Sequence, residues 1–145
     1  MDEYINTGAY LRLLWDELRA NMEAALQERG FEDVSPSHGW IFHHTKDEGS
    51  RITELAAAAH ITKQSMSALV AQLEEAGYVR RKPDPSDKRA ALLFLTAKGK
   101  KVRDAGRQIN FDFEKKWEAR IGSADYALLR KLLAQLCETT AGSRS

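Results

Sequence analysis

The sequence predicts a mostly α-helical protein with one small β-hairpin, and three observations support this fold class. Apolar residues recur every three or four positions through several segments, which is the spacing of one face of a helix. Residues 78–95 hold two runs of strand-forming residues separated by a loop rich in proline, aspartate and charged residues. Capping and turn-forming residues stand at the boundaries between these segments. We therefore expect helices at both ends of the chain and a single hairpin in its second half.

Composition narrows the class of protein. The chain of 145 residues fits one domain, and it holds neither a membrane-spanning apolar run nor a signal-peptide pattern, so we expect a cytoplasmic protein. The single cysteine, Cys137, stands among leucines, and we expect it to be buried and inert. The sequence has no G-x-S-x-G, no P-loop and no G-x-G-x-x-G after a strand. We therefore expect no enzyme and no cofactor.

The charge is unevenly distributed along the chain. The net charge is +1, but residues 78–107 contain ten basic and three acidic residues, whereas residues 1–33 contain three basic and eight acidic ones. The positive charge is thus concentrated on the hairpin and on the segment that follows it. A local positive field attracts phosphate whatever the total charge of the protein.

The first elements follow from periodicity and caps. One apolar stripe marks the first helix, and Gly30 fits its end. Ser35 and Pro36 read as the cap and first residue of a second helix, which fades near residues 47–49. Residues 50–52 form a short connector, with space for one rung of a sheet. The stripe of the first helix consists of Leu11, Leu14, Trp15, Leu18, Met22, Ala25 and Leu26.

Residues 53–77 read as a helix-turn-helix. Thr53 is expected to cap a short alanine-rich helix that ends near Ala59, and Thr62 to cap the next helix. That second helix turns Met66, Leu69, Val70 and Leu73 to the core, and Gln64, Ala68 and Ala71, flanked by Ser65 and Ser67, to the opposite side. Small, uncharged residues that form hydrogen bonds suit a helix pressed into the major groove of DNA.

The hairpin and the last helices complete the prediction. We expect strands at 78–82 and 91–95, with a loop at 83–89 between them. Thr96 caps a long helix, which Gly122 and Ser123 separate from a final leucine-rich helix. The predicted architecture is a single domain of residues 1–145. It contains a winged helix-turn-helix lobe at 35–99 and a helical dimerisation lobe at 1–34 and 100–145. A self-contained bundle is the alternative for the second lobe, but we prefer a two-fold dimer that matches a palindromic site.

Three motifs at fixed spacing carry a resemblance to a known family. They are Leu69-Val-x-x-Leu73-Glu-x-x-Gly77-Tyr-Val-x-Arg81, then Asp84-Pro-x-Asp87-x-Arg89, then Leu95-Thr96-x-x-Gly99. On these residues the chain resembles the MarR (multiple antibiotic resistance regulator) family, and the helix order agrees over essentially the whole chain. The resemblance implies a mostly helical dimer bound to a pseudo-palindromic operator. It also implies a repressor released by a small, often aromatic, ligand or by cysteine oxidation.

The resemblance and the chemistry of the side chains together assign the DNA contacts. Gln64 is the candidate for direct readout, because a glutamine amide can pair bidentately with adenine. Arg89 matches the wing-tip arginine that enters the minor groove. Asp87 matches the acid that orients the wing, with a simple turn-forming aspartate as the alternative. The remaining candidates hold phosphate or support the helix, and they are Thr62, Lys63, Ser65, Ser67, Arg81, Lys82 and Lys88.

The sequence gives weaker support to an effector pocket and to a metal site. Trp15, His38 and Trp40 are candidates to line a pocket for a small aromatic or anionic effector, with ordinary core packing or solvent exposure as the alternative. His43 and His44 are adjacent, so they point about 100° apart on a helix, and we expect no metal site. The alternative function is a winged-helix adaptor that binds protein and not DNA. The basic segment and the groove-suited helix face argue against that alternative.

Overall fold

The computed structural model describes residues 4–142, which form two compact units, residues 4–109 and 110–142. Residues 1–3 and 143–145 of the predicted dimerisation lobe lie outside this range. Nine helices and strands and one short 3-10 helix, Pro36–His38, make up the described chain. They are α1 (Thr7–Glu28), α2 (Gly39–His44), β1 (Ser50–Arg51), α3 (Ile52–Ala59), α4 (Lys63–Glu75), β2 (Val79–Asp84), β3 (Asp87–Leu95), α5 (Ala97–Ile121) and α6 (Ser123–Gly142). The expected fold class, mostly helical with a small β-wing, is confirmed.

The helix ends agree with the predicted signals at most positions. Gly30 adopts a positive φ of 82° after α1, and Gly122 one of 93° between α5 and α6, which is the left-handed conformation that favours glycine. The second predicted helix is shorter than expected, because it is a 3-10 turn followed by α2 and ends at His44. Thr53 is not a cap. Residues 50 and 51 pair with β3, so the helix starts directly after them, at Ile52, with Arg51 as its N-cap.

The sheet is a three-stranded antiparallel one in the order β1-β3-β2. The expected short pairing is present, and it is two residues long, with Ser50 opposite Leu93 and Arg51 opposite Leu92. The predicted loop at 83–89 is wrong, since β2 and β3 continue outward until only Pro85 and Ser86 remain between them. Charged residues have weak strand propensity, so the sequence pattern does not predict this extension of the strands. Once the two apolar runs pair, the ladder continues to the turn. We call β2, β3 and this turn the wing.

The apolar core of the first unit extends beyond residues 35–99. On α4, Met66, Val70 and Leu73 have no exposed surface, and neither do Ile41 of α2 and Leu93 of β3. The same cluster takes in one residue of α1 and two of α5, which are Leu26, Val102 and Ile109. The predicted division at residues 34/35 and 99/100 stays a prediction.

Both units expose large apolar side chains. Trp15 is 54% exposed on α1, where Tyr10, Leu11 and Leu13 are exposed too. In the second unit the exposed set is Phe111, Ile121, Leu128, Leu132, Leu133 and Leu136. Cys137 on α6 is exposed, so the expected burial is wrong: its leucine neighbours at 132, 133 and 136 are themselves exposed in the single chain. No helix within residues 4–142 is long and apolar enough to cross a membrane.

At Gly99 the backbone of α5 closely approaches the backbone of Tyr78. A Cβ atom at this position would overlap the carbonyl oxygen of Tyr78, and it would crowd Leu95 as well. The start of α5 is thereby brought against the segment that leads from α4 into the wing. This close approach explains why the Leu95-Thr96-x-x-Gly99 motif ends in glycine.

We predict that Gly99→Ala lowers the free energy of unfolding by about 1–3 kcal/mol, because the methyl group forces the backbone of Tyr78 aside. Gly106→Ala is the matched control on the same helix, since a Cβ atom at Gly106 would meet no other atom within 4 Å. That change should raise stability by about 0.5–1 kcal/mol. Urea unfolding of both variants measures the difference. Equal effects of the two substitutions would contradict the close approach.

Candidate nucleic-acid interface

The first turn of α4 is organised by Thr62. Its side-chain oxygen accepts a hydrogen bond from the backbone N–H of Ser65 at 3.0 Å and donates to the Ser65 hydroxyl at 2.9 Å. The predicted cap is therefore confirmed. The Thr62 hydroxyl is committed to the helix itself, whereas the Ser65 hydroxyl keeps its own proton for an outside acceptor.

The outward face of α4 carries little charge. Lys63 and Gln64 are exposed in the first turn, and Ser67 is half-buried. Ala68 and Ala71 are exposed behind Gln64 on the side opposite the buried residues of α4. Within residues 4–142, no hydrogen bond holds the Gln64 amide, so both its donor and its acceptor are available.

An ion pair between the partly exposed Arg51 and the buried Asp84 fixes the base of the turn in the wing. Asp84 is 6% exposed, and its Oδ2 accepts from Nη2 of Arg51 at 2.7 Å and from Nε at 3.0 Å. Its Oδ1 accepts from the backbone N–H and the hydroxyl of Ser86, at 2.9 and 2.7 Å. The bonds from Ser86, and then the Arg51 guanidinium, hold the pKa of the Asp84 carboxyl below its usual value. The carboxylate thus stays charged above that lowered pKa, and the brace is lost only as the pH falls through it.

The tip of the wing presents cations to solvent. Asp87 Oδ1 accepts from the backbone N–H of Arg89 at 2.9 Å, which is the local contact of a turn-forming aspartate. Lys88 and Arg89 are exposed. Neither side chain has an ion-pair partner among the described residues. Their positions are therefore set by the backbone of the ribbon, while their charges stay uncompensated.

The other two basic candidates at the start of the wing already make contacts. Arg81 Nε lies 3.2 Å from a carboxylate oxygen of Glu74 at the end of α4, with both side chains partly exposed. Lys82 Nζ lies 5.3 Å from the ring centre of Phe94 on the neighbouring strand. These contacts orient the two side chains, and they tie the first residues of the wing to α4 and β3.

The three candidate pocket residues have different surroundings. Trp15 is exposed on α1. Trp40 is 39% exposed and stacks on His44, with the ring centres 4.0 Å apart and the planes 7° from parallel. His38 is 5% exposed, and its two ring nitrogens contact the backbone N–H of Ser35 and the side chain of Gln72. Within the described residues, no group of three histidine, cysteine or acidic side chains could hold a metal ion.

Sequence reasoning missed the residues that brace the wing. In the sequence, Arg51 reads only as part of a connector, and Asp84 and Ser86 read as loop. A signal was present for the second pair, since an aspartate two residues before a serine is the spacing of an Asx turn. No local pattern points to Arg51, because its partner lies 33 positions away.

Comparison with known proteins adds a sequence match over the central elements. The profile of the MarR family matches residues 32–90, from before the 3-10 helix into β3. The transcriptional regulator HosA of Escherichia coli O111:H- is 32% identical over 82 residues, which are 57% of this chain and 61% of that protein. The chain thus spans about three fifths of the length of the curated relatives it matches.

Solved structures extend the likeness to the remaining helices. The crystal structure of MarR matches with a TM-score of 0.85 and 21% identity, covering 99% of this chain and 97% of that one. The S. aureus MepR–DNA complex matches with a TM-score of 0.79 and 18% identity, covering 94% and 99%. At these identities the structures establish a shared fold. The match at residues 32–90 adds a sequence similarity to the MarR family over that part of the chain.

Proposed function

We propose that this protein is a sequence-specific regulator of transcription that binds double-stranded DNA as a homodimer, on a pseudo-palindromic operator. One observation carries the proposal. On α4 the first unit presents an uncharged surface of Gln64, Ala68 and Ala71, which ends at Glu75 and includes a free glutamine amide. On a braced ribbon it presents two uncompensated cations. A face without charge suits the base edges in the major groove, and cations suit the phosphates and the minor groove.

In this proposal Gln64 is the residue that contacts the base edges. Its free amide offers a donor and an acceptor side by side, which is the pattern that pairs with the N7 and N6 atoms of adenine. Lys63 in the same turn holds a phosphate, and the Ser65 hydroxyl donates to another. Thr62 contributes by fixing the helix start, because both roles of its hydroxyl are used within the helix.

The wing supplies the second contact. Arg89 enters a narrow minor groove, where the negative potential is enhanced and a weakly hydrated guanidinium is favoured. Lys88 binds the neighbouring phosphates, and Arg81 and Lys82 add to the field at the start of the ribbon. The Arg51–Asp84 pair keeps the tip in place while these contacts form.

Assembly and release complete the proposal. Apolar side chains exposed on α1, α5 and α6 form the dimer interface, because the single chain leaves them in water. The protein acts as a repressor released by a small aromatic or anionic effector that contacts Trp15 and Trp40. His38 joins that site only by giving up its hydrogen bond to Gln72, which would link effector binding to α4.

A gel shift with the intergenic DNA upstream of the gene, at two salt concentrations, tests DNA binding. Binding that weakens with salt and exceeds binding to random DNA supports the proposal. The alternative, an adaptor that uses the winged fold to bind protein, predicts no shift at either salt concentration.

We predict a homodimer at micromolar concentration, because both units expose apolar side chains. Sedimentation equilibrium measures the mass. Leu136→Glu, which places a charge among the exposed leucines of α6, should shift the equilibrium toward monomer and lower operator affinity together. A monomeric wild-type protein that still binds the operator would rule out this assembly.

Gln64→Ala is expected to weaken binding mainly to the cognate operator, by about 1–3 kcal/mol, because a base-edge contact carries sequence information. Lys88→Ala is the counterpart. It should weaken operator and random DNA alike and reduce the slope of log affinity against log salt by about 0.9 for each phosphate that is no longer neutralised. Titrations on both DNAs at several salt concentrations separate the two effects. An equal loss on random DNA in Gln64→Ala would overturn our assignment of the helix face.

Arg89→Ala should cost about 1–3 kcal/mol of operator binding, while the dimer and its thermal stability stay unchanged, since the side chain is exposed. The loss should be largest where the wing lands on A·T-rich steps. Arg89→Lys keeps the charge but loses the planar, weakly hydrated group, so it should recover only part of the affinity. Full recovery with lysine would reduce Arg89 to a general phosphate contact. Unchanged binding in Arg89→Ala would mean that the wing does not touch DNA.

A further inference from the structure

A hydrogen-bonded chain links the segment before α2 to the exposed side of α4. The ring of His38 lies between the backbone N–H of Ser35, 3.0 Å from Nδ1, and Oε1 of Gln72, 2.9 Å from Nε2. His38 is buried, whereas Gln72 is exposed and stands three residues before the end of α4. None of the DNA contacts proposed above uses Gln72.

The positions of the protons in this chain follow from its first member. A backbone N–H can only donate, so Nδ1 of His38 must accept and carries no proton. The neutral ring then has its proton on Nε2, and this N–H needs an acceptor. The acceptor at hydrogen-bond distance on Gln72 is the amide oxygen, so the amide nitrogen is the other end of that group.

This arrangement leaves both N–H donors of Gln72 free, while its oxygen is turned toward the His38 ring. Its oxygen is bound to His38, and no acceptor for its NH₂ group is present within residues 4–142. Gln64 differs, because both ends of its amide are free. Bidentate pairing with adenine requires a donor and an acceptor that face the base together, and the oxygen of Gln72 faces His38 instead.

The position of Gln72 on α4 indicates what its NH₂ group meets. Gln72 follows Ser65 by seven residues, so the two side chains share one edge of the helix, beside the face of Gln64, Ala68 and Ala71. A helix lying in the major groove brings its edges toward the sugar–phosphate backbones. The N-terminal residues reach base edges, and Gln72 belongs to the C-terminal half.

We propose that Gln72 donates a hydrogen bond to a DNA phosphate and that His38 is the positioning residue that holds its amide in the donating orientation. This inference rests on the proposed DNA-binding function. It adds an uncharged hydrogen-bond donor that is already oriented in the free protein. Little conformational entropy of the side chain is therefore lost when the phosphate binds.

Two substitutions of Gln72 test the donor. Gln72→Glu keeps an oxygen for the His38 N–H but places a carboxylate where the NH₂ group stood, and Gln72→Met removes both polar ends at similar size. At pH 8, Gln72→Met should weaken binding to operator and random DNA alike by about tenfold, the scale of one hydrogen bond to a charged group. Gln72→Glu should weaken both by about thirtyfold, because its carboxylate also repels the phosphate. Gln72→Met should leave the salt slope unchanged, because no charge is lost.

Gln27→Glu on the exposed surface of α1 is the matched control for the added charge. It should leave binding within about twofold of the wild type, since screening limits the reach of one surface charge to about 10 Å. An effect of Gln27→Glu as large as that of Gln72→Glu would assign the loss to general repulsion. Unchanged binding in Gln72→Glu would overturn the proposal.

His38→Phe tests the positioning role through coupling. With Gln72 present, the substitution should weaken binding by about threefold, because the amide is free to rotate. In the Gln72→Met background the same substitution should have no further effect on binding, although it lowers thermal stability in both. Equal losses of DNA affinity in both backgrounds would mean that His38 has only a structural role. If His38→Phe does not fold, the two Gln72 variants still decide whether the donor exists.

Failure of this inference can be told apart from failure of the proposed function. If wild-type protein binds no DNA at either salt concentration, the proposed function is wrong and with it the contact. If the wild type binds its operator and both Gln72 variants bind equally well, only the inference about Gln72 is wrong.

Discussion

Tyr78 is the residue on which the arrangement of α4, the wing and α5 depends. Its backbone N–H bonds to the carbonyl of Leu73 and so ends α4, and its carbonyl accepts from the backbone N–H of Thr96, just before α5. Its hydroxyl donates to Asp33 at 2.5 Å, and burial together with this bond raises the pKa of the phenol far above its usual value. The phenol therefore stays protonated over the whole range in which proteins are handled, and the contact persists with it.

Several weaker contacts support the same junction. The Thr96 hydroxyl donates to the carbonyl of Gly77 at 2.6 Å, and the Lys98 ammonium donates to the carbonyl of Ala76 at 2.7 Å while it lies 4.2 Å from the centre of the Tyr78 ring. The carbonyls of Ala76 and Gly77, directly after α4, thereby find partners that the helix itself cannot supply. Contacts at its C-terminal end and along its buried face hold α4 in position. The side chains of Gln64, Ala68 and Ala71 on its outer face can therefore be small or uncharged without loss of that position.

The wing shows how exposure and rigidity are combined. Its tip leaves Lys88 and Arg89 without compensating charge, which favours an anionic partner but gives the tip no contacts of its own. The buried carboxylate of Asp84 makes up for this, since it accepts four hydrogen bonds from Arg51 and Ser86. The exposed cations, Lys88 and Arg89, are thus different residues from the pair that braces the ribbon, Arg51 and Asp84. Either set can be substituted without changing the other.

Local chemistry in the sequence determined much of this protein. Caps at Thr62 and Thr96, the apolar spacing of α4 and the charge of the hairpin act within a few residues, and they predicted the helix-turn-helix, the wing and the candidate DNA contacts before any packing was known. The tertiary structure decided the pairs that hold those elements together. His38 and Gln72 are 34 positions apart, Arg51 and Asp84 are 33 apart, and Asp33 and Tyr78 are 45 apart. Such pairs leave no local pattern, because they form only once separate elements have packed. The exact helix start at Ile52 and the length of the wing followed from strand pairing for the same reason.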